Sequence, residues 1–303
     1  MKETQIELEG TEQPKPKEEL KTVASILTTT FNEIESRANG TSVAGIPVNF
    51  YDFDAMTQGL QRGDLIVFGG RPAMGKTSIG LNIAKNVAQL HNLPVCIFSL
   101  EMSKEQLTYR LLAMEVGIEA SRLRTGRLEQ DEWPYLGEGI KSLGELPLFI
   151  TDKSNITVDE MISKCQAIKE KNKTDLGLVV IDYVQLMDGA QYPSRDEELS
   201  KIVVQLKEMA KLLQVPVIVL SQLNRGIEHR RNKRPMLSDL RETQSLENQA
   251  DIVTMIYRDE YYNPETEDRG ITELITCKQT NGPVGTVKLL FEPQFARFRN
   301  LAA

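Results

Sequence analysis

The stretch GGRPAMGKT at residues 69–77 constrains this chain more than any other. Gly70, Gly75, Lys76 and Thr77 fill the fixed positions of a G-x-x-x-x-G-K-[ST] pattern, and the flanks that give the pattern meaning are present. The apolar run LIVFG (65–69) precedes it, and Ile79, Ile83, Val87 and Leu90 follow at helical spacing. A strand that turns through glycines into a helix N-terminus points backbone N–H groups inward and adds the positive end of the helix dipole, which makes an anion cradle. Gly70, Arg71, Pro72, Ala73, Met74, Gly75, Lys76, Thr77 and Ser78 are therefore expected to wrap nucleotide phosphates. In that arrangement Lys76 neutralises β- and γ-oxygens and the Thr77 hydroxyl is a Mg²⁺ ligand. The competing reading is a glycine-rich turn that binds nothing, and the pattern in its context outweighs it.

A triphosphate site needs a second magnesium-organising acid at the end of a buried strand, and LVVID (178–182) supplies Asp182 after four apolar residues. Alone, such an acid reads as a turn or cap residue; beside the phosphate loop it reads as a metal ligand. The run VCIFSL (95–100) leads to Glu101, a carboxylate at the carboxyl edge of a parallel sheet. It is either the group that polarises the attacking water or a solvated, capping glutamate. VPVIVLSQ (215–222) ends on Gln222, either a γ-phosphate sensor or an ordinary surface amide. Beyond it Arg225, Arg230, Arg231, Lys233, Arg234 and Arg241 face only Glu228 and Asp239 in sequence. This is a solvated loop or an anion-binding loop that follows the nucleotide state and couples ATP to DNA. It has no interleaved aromatics for stacking bases.

Short β-branched runs alternate with helical stretches, which predicts an α/β fold with a mostly parallel central sheet flanked by helices. PLFITD (147–152) and DIVTMIYR (251–258) complete the parallel set, and most of these strands lack polar alternation, as buried strands should. ITELITCKQ, the turn NGPVG and TVKLLFE predict an antiparallel C-terminal hairpin, with FARFR as a further strand. Residues 1–16 are polar and carry Pro14 and Pro16, so a disordered tail is expected there. Over 17–37, Leu20, Val23, Leu27, Phe31 and Ile34 form one stripe of an amphipathic helix, and 38–49 read as a linker to a domain spanning 50–303. Such a helix either folds back on its own domain or docks on a neighbour.

The formal charge of −7 counts against coating nucleic acid over the whole surface, yet leaves room for a local basic channel. No apolar run approaches the roughly 20 residues of a membrane span, and the N-terminus is too charged for a signal peptide, so a cytoplasmic location is expected. Cys96, Cys165 and Cys277 are far apart and odd in number, which predicts buried free thiols rather than disulfides or a metal cluster.

Taken in order, GGRPAMGKT, SLEMS, LVVIDYVQLM, LSQLNR, RPMLSDLRE and CKQTNGPVGT resemble the motif set of the bacterial replicative DNA helicase family, DnaB, in its C-terminal motor domain. The resemblance runs from about Lys17 to Leu301 and implies a RecA-like P-loop ATPase core. It implies that Lys76 and Thr77 bind phosphate and magnesium, Asp182 organises magnesium, Glu101 activates water and Gln222 senses nucleotide. Arg241, Glu242 and Gln244 match the loop that tracks single-stranded DNA, and Lys278 matches a basic residue reaching across to a neighbour's ATP. LKTVASILTTTFNEIESRANG resembles the family's linker helix, which packs on the adjacent subunit of a ring.

The function so implied is an ATP- and Mg²⁺-dependent, ring-forming helicase motor. It would be hexameric, would hydrolyse ATP at subunit interfaces, and would move 5′ to 3′ on single-stranded DNA, with a helicase loader and primase as further partners and no membrane. Three departures qualify it. Lys278 is followed by Gln279 and Thr280 where the family has Lys-x-Arg, so the trans arginine finger position holds a neutral residue. Gln244 stands where the DNA loop has glycine, and the family's N-terminal helical domain has no counterpart here. Thr280 and Gln244 support an alternative, a nucleotide-binding paralogue with weak or no unwinding that acts as a regulatory or structural subunit. Other RecA-like ATPases, recombinases or autokinases, resemble the SDLRE and NGPVG segments less well.

Overall fold

Strands that are apolar on both faces must lie in a sheet covered on both sides. The computed structural model describes residues 20–40, 44–187 and 194–301, with the backbone alone for 241–244. The chain divides into two units, 1–43 and 44–303. In the first, α1 (Val23–Ala38) is capped by the Thr22 hydroxyl, which accepts from Ser25 N–H. Its stripe of Val23, Leu27, Phe31 and Ile34 is present, and each of these is more than half exposed. The expected tail at 1–16, and residues 17–19 of the expected helix, lie outside the described residues.

In the second unit α2 (Tyr51–Thr57) precedes β1 (Leu65–Gly70), α3 (Lys76–His91), β2 (Val95–Ser99), α4 (Lys104–Val116), α5 (Ala120–Thr125) and α6 (Glu132–Glu145). There follow β3 (Leu148–Thr151), α7 (Val158–Asn172), β4 (Leu178–Asp182), α8 (Arg195–Leu213), β5 (Val217–Gln222), α9 (Gln244–Gln249) and β6 (Ile252–Tyr257). After the one-turn α10 (Asp259–Tyr262), β7 (Ile271–Gln279), β8 (Gly285–Glu292) and β9 (Arg297–Asn300) complete one sheet in the order β3-β2-β4-β5-β1-β6-β7-β8-β9. The first six in that order run parallel and the last three are antiparallel, as the residue patterns predict.

Alternation along each central strand sends neighbouring residues to two separate cores. Ile66, Phe68, Ile97 and Val180 pack with Ile79, Ile83 and Val87 of α3. Leu65, Val67, Phe98 and Ile181 pack instead with Met161 of α7 and Ile202, Leu206 and Met209 of α8. Strand ends differ from the sequence reading by one or two residues, because apolar character does not report where pairing stops. β3 is only half-buried throughout, since it is an edge strand. Residues 44–49, read from sequence as linker, carry buried Ile46 and Val48, and Ile46 exchanges backbone hydrogen bonds with Leu60 at 2.8 and 2.9 Å.

At the amino-terminal ends of the central strands, Lys207 Nζ donates to Gly63 O at 2.9 Å and to Asp251 Oδ2 at 2.5 Å, and Leu65 N–H donates to the same carboxylate at 2.7 Å. Asp64 lies half-buried beside this group, and burial, followed by the Asp251 charge, pushes its carboxyl up to about 6 against the pull of Lys207. The folded state therefore holds this proton more tightly than an unfolded chain does. Its stabilising effect is full below about pH 4 and is lost as pH rises through about 6. Asp64→Asn is expected to raise stability at pH 8 by about 1 kcal/mol, after allowing for solvent screening of a half-exposed group, and to change little at pH 4. Urea midpoints at the two pH values measure this, and an equal effect at both would refute it.

Candidate functional site

β1 delivers the chain at Gly70 to a loop that ends where α3 begins at Lys76. Ala73 (φ 64°) and Gly75 (φ 96°) take left-handed conformations that turn the loop back over the helix N-terminus. A second feature favours glycine at 75: a Cβ there would lie 3.1 Å from Phe298 Cζ and 3.3 Å from Phe291 Cζ, tight enough that a ring would have to shift. Arg71 is almost fully buried and ties the loop to the segment after β5. It donates to Leu223 O at 2.8 Å and from Nε to Glu228 Oε1 at 2.9 Å. Lys76 Nζ donates to Arg71 O at 3.3 Å, and burial lowers its pKa against the opposing carboxylates of Asp182 and Glu101.

Thr77 and Asp182 meet directly: the Thr77 hydroxyl donates to Asp182 Oδ2 at 2.6 Å, while Asp182 Oδ1 is buried with no hydrogen-bond partner. Burial pushes the Asp182 carboxyl up, the Thr77 bond opposes this, and the Glu101 charge adds to the rise. A hydroxyl and a buried carboxylate oxygen without a partner, next to an ammonium, form the hard-oxygen donor set that suits Mg²⁺ beside a phosphate. The residues thus fit such an ion.

The loop opens on a cleft of about 600 Å³ that brings Lys76, Thr77, Glu101 and Gln222 together. Glu101 reaches it because Ser99 is in register with Asp182 and the turn after β2 is closed by Ser99 Oγ, which donates to Met102 O at 2.7 Å. Arg110, Arg258 and Phe291 also line the cleft and were not anticipated. Arg258 stands 4.8 Å over the Phe291 ring and donates to Ala73 O at 3.0 Å. A signal for Arg258 exists in the sequence, since it ends a buried strand as Gln222 does. Arg110 lies on a helix face and Phe291 in an alternating strand, where pattern alone gives no cue.

Lys278 and Thr280 are not brought to this cleft. Gln279 pairs with Ile252, which is in register with Ile66, so both lie at the end of the sheet opposite Gly70. Lys278 Nζ donates to the α9 carbonyls of Glu247 and Asn248 at 2.7 and 3.1 Å, and Thr280 Oγ1 donates to Asp251 O at 3.2 Å. The side chains of Arg241, Glu242 and Gln244 lie outside the described residues. Much of the basic stretch is engaged internally: Arg230 pairs with Asp239 at 2.9 Å, Arg234 pairs with Glu273, and Lys233 donates to Glu228 O. Arg225 and Arg231 remain exposed. Cys96 and Cys165 are buried free thiols as expected, whereas Cys277 is half-buried, because β7 is less deeply covered. Among the described residues no group of three or more His, Cys, Asp or Glu side chains is arranged to hold a metal by itself, and no helix is long and apolar enough to cross a membrane.

Residues 45–300 match the DnaB-like helicase C terminal domain family. The replicative DNA helicase DnaC of Bacillus subtilis (strain 168) is 46% identical over 282 residues, covering 92% of this chain and 62% of that protein. The ATPase domain of G40P superimposes with a TM-score of 0.89 at 39% identity, covering 94% of this chain and all of that one. A DnaB-like replicative helicase, solved in a study of its interactions with primase, superimposes with a TM-score of 0.85 at 39% identity over 94% of this chain and 68% of its own. The RecA-like sheet, the phosphate loop and the match over most of the sequence agree, and the chain belongs to the DnaB-like helicase C-terminal domain family.

Proposed function

We propose that this chain is the ATP-driven motor of a replicative DNA helicase. The observation that carries the reading is the Thr77–Asp182 contact with its unpartnered Oδ1, set beside Lys76 in a cleft that also holds Glu101 and Gln222. ATP is the substrate, and Mg²⁺, when bound, would supply neutralisation of phosphate charge. Lys76 and the backbone N–H groups at the start of α3 bind the phosphates, and Thr77 and Asp182 would hold the metal. Glu101, exposed at the mouth, takes the proton of the attacking water. Gln222 reads the γ-phosphate from the end of β5, next to the loop that begins at Arg225.

The cis residues make half a site. Lys278 and Thr280, at the far edge of the sheet, reach a cleft only in a second copy, which supports a closed ring with nucleotide between subunits. Lys278 Nζ would leave the α9 carbonyls to do so. The exposed stripe of α1 is the second argument for assembly, because four large apolar residues on one face need a partner, and a neighbouring subunit supplies it. Arg225, Arg231 and Arg241 then serve single-stranded DNA in the channel, with travel 5′ to 3′, and loader and primase as further partners in the cytoplasm. The chain spans 62% of the Bacillus subtilis relative's length, so these properties concern the motor part.

Single-stranded DNA is expected to stimulate ATP hydrolysis several-fold, and Lys76→Ala to abolish it. Tight nucleotide binding with no stimulated turnover would sink the motor reading. Thr280→Arg places a guanidinium where the family has one, and arginine fingers are worth ~10³ to 10⁵ in turnover in the GTPase cases. A rise in kcat is expected in the assembled ring, and none would show that this position does not limit the enzyme.

A further inference from the structure

β5 outruns one of its neighbours. Its ladder with β4 ends at Ile181 and Val219, whereas its pairing with β1 continues to Gly70 and Gln222. β4 instead turns away after Asp182 into the 3-10 turn Val184–Leu186. The flank this leaves on Ser221 and Gln222 is closed by the side chain of Gln185. Its Oε1 accepts from Gln222 N–H at 3.3 Å, and its Nε2 donates to Gln222 O at 3.1 Å and to Ser221 Oγ at 2.9 Å. A carboxamide presents C=O and N–H side by side as a peptide does, so Gln185 forms an extra rung where a strand partner is missing. The opposite amide orientation would set donor against donor at Gln222 N–H.

The same residue is held from behind. Arg195, the first residue of α8, donates from Nη2 to Gln185 O and to Met187 O, both at 2.7 Å. Gln185 and Gln222 also line, with Arg71 and Arg225, a polar pocket of about 360 Å³ next to the phosphate loop. Gln222 borders both this pocket and the nucleotide cleft. Its backbone is thus fixed on one side by β1 and on the other by a side chain that belongs to the turn after β4.

We propose that Gln185 is a positioning residue for Gln222. Its carboxamide rung fixes the carboxyl end of β5 so that the Gln222 side chain is presented to the γ-phosphate, and it joins that register to the first turn of α8. The proposal rests on the reading of the cleft as a triphosphate site. Gln185 falls inside the motif LVVIDYVQLM, but the motif by itself assigns it no role.

The test uses the full chain with a single-stranded oligonucleotide and saturating Mg²⁺. Gln185→Leu removes three hydrogen bonds, and a drop of about tenfold in stimulated kcat is expected, with KM for ATP within about twofold. Gln185→Glu is a sharper probe. Ionised, it cannot donate to Gln222 O; protonated, it restores one donor and one acceptor in the same places. Its kcat relative to wild type is therefore expected to recover as pH falls. An unchanged kcat in the Leu variant, a loss confined to the melting temperature, or a Glu-to-wild-type ratio flat with pH would each overturn the proposal. Amide exchange at Gln222 is expected to quicken in Gln185→Leu, and unchanged protection would also overturn it. That readout needs no turnover, so a wild-type protein without DNA-stimulated hydrolysis would sink the motor reading and leave the rung separately testable.

Discussion

The short contact between Thr77 and Asp182 is the point on which the functional half of this molecule converges. Thr77 opens α3 and Asp182 ends β4, two strands of the sheet away from β1, so their meeting requires the carboxyl ends of β1, β5 and β4 to lie at one edge. Parallel strands with apolar residues on both faces impose that alignment, because two cores clamp their register from opposite sides. The polar chemistry therefore collects at the carboxyl edge as a consequence of how the apolar residues are satisfied. One oxygen of Asp182 remains without a partner in a position that excludes solvent. Such an oxygen is costly to the fold by itself.

Electrostatics around that oxygen are mixed by design of the fold. Lys76 and Arg110 pull the Asp182 carboxyl down in pKa while burial and Glu101 push it up. Lys76 feels burial in the opposite sense, with Asp182 and Glu101 favouring its charged form. The groups thus stabilise one another's ionised states only partly.

The sheet and the cis residues were legible because each depends on local pattern. LIVFG, LVVID and VPVIVLSQ read as buried strands, and the polar positions at which these runs end, the phosphate loop, Asp182 and Gln222, gather at the carboxyl edge of the sheet. Arg258 obeys the same rule, but an arginine at a strand end is also a routine solvent-facing residue, so its position alone does not single it out. Arg110, Phe291 and Gln185 were illegible for a different reason. Their roles depend on which distant segments lie alongside them, and no period or spacing encodes that. The basic stretch shows the same limit. Charge in sequence does not reveal internal pairing, and Glu273, on a strand 39 residues from Arg234, takes one of its cations.

The close approach of Phe298 to Gly75 sets an order of events during synthesis. The phosphate loop is shaped against β9, and the Asn82 side chain in α3 fastens the two by accepting from Phe298 N–H at 3.1 Å and donating to Ala296 O at 3.0 Å. These bonds span 216 and 214 residues. Closing loops of that size is slow relative to local structure. A chain emerging from the ribosome can form β1 and α3 early, yet its nucleotide loop has no floor until β9 arrives. The loop that opens the sheet is therefore among the last parts of the domain to take its final shape.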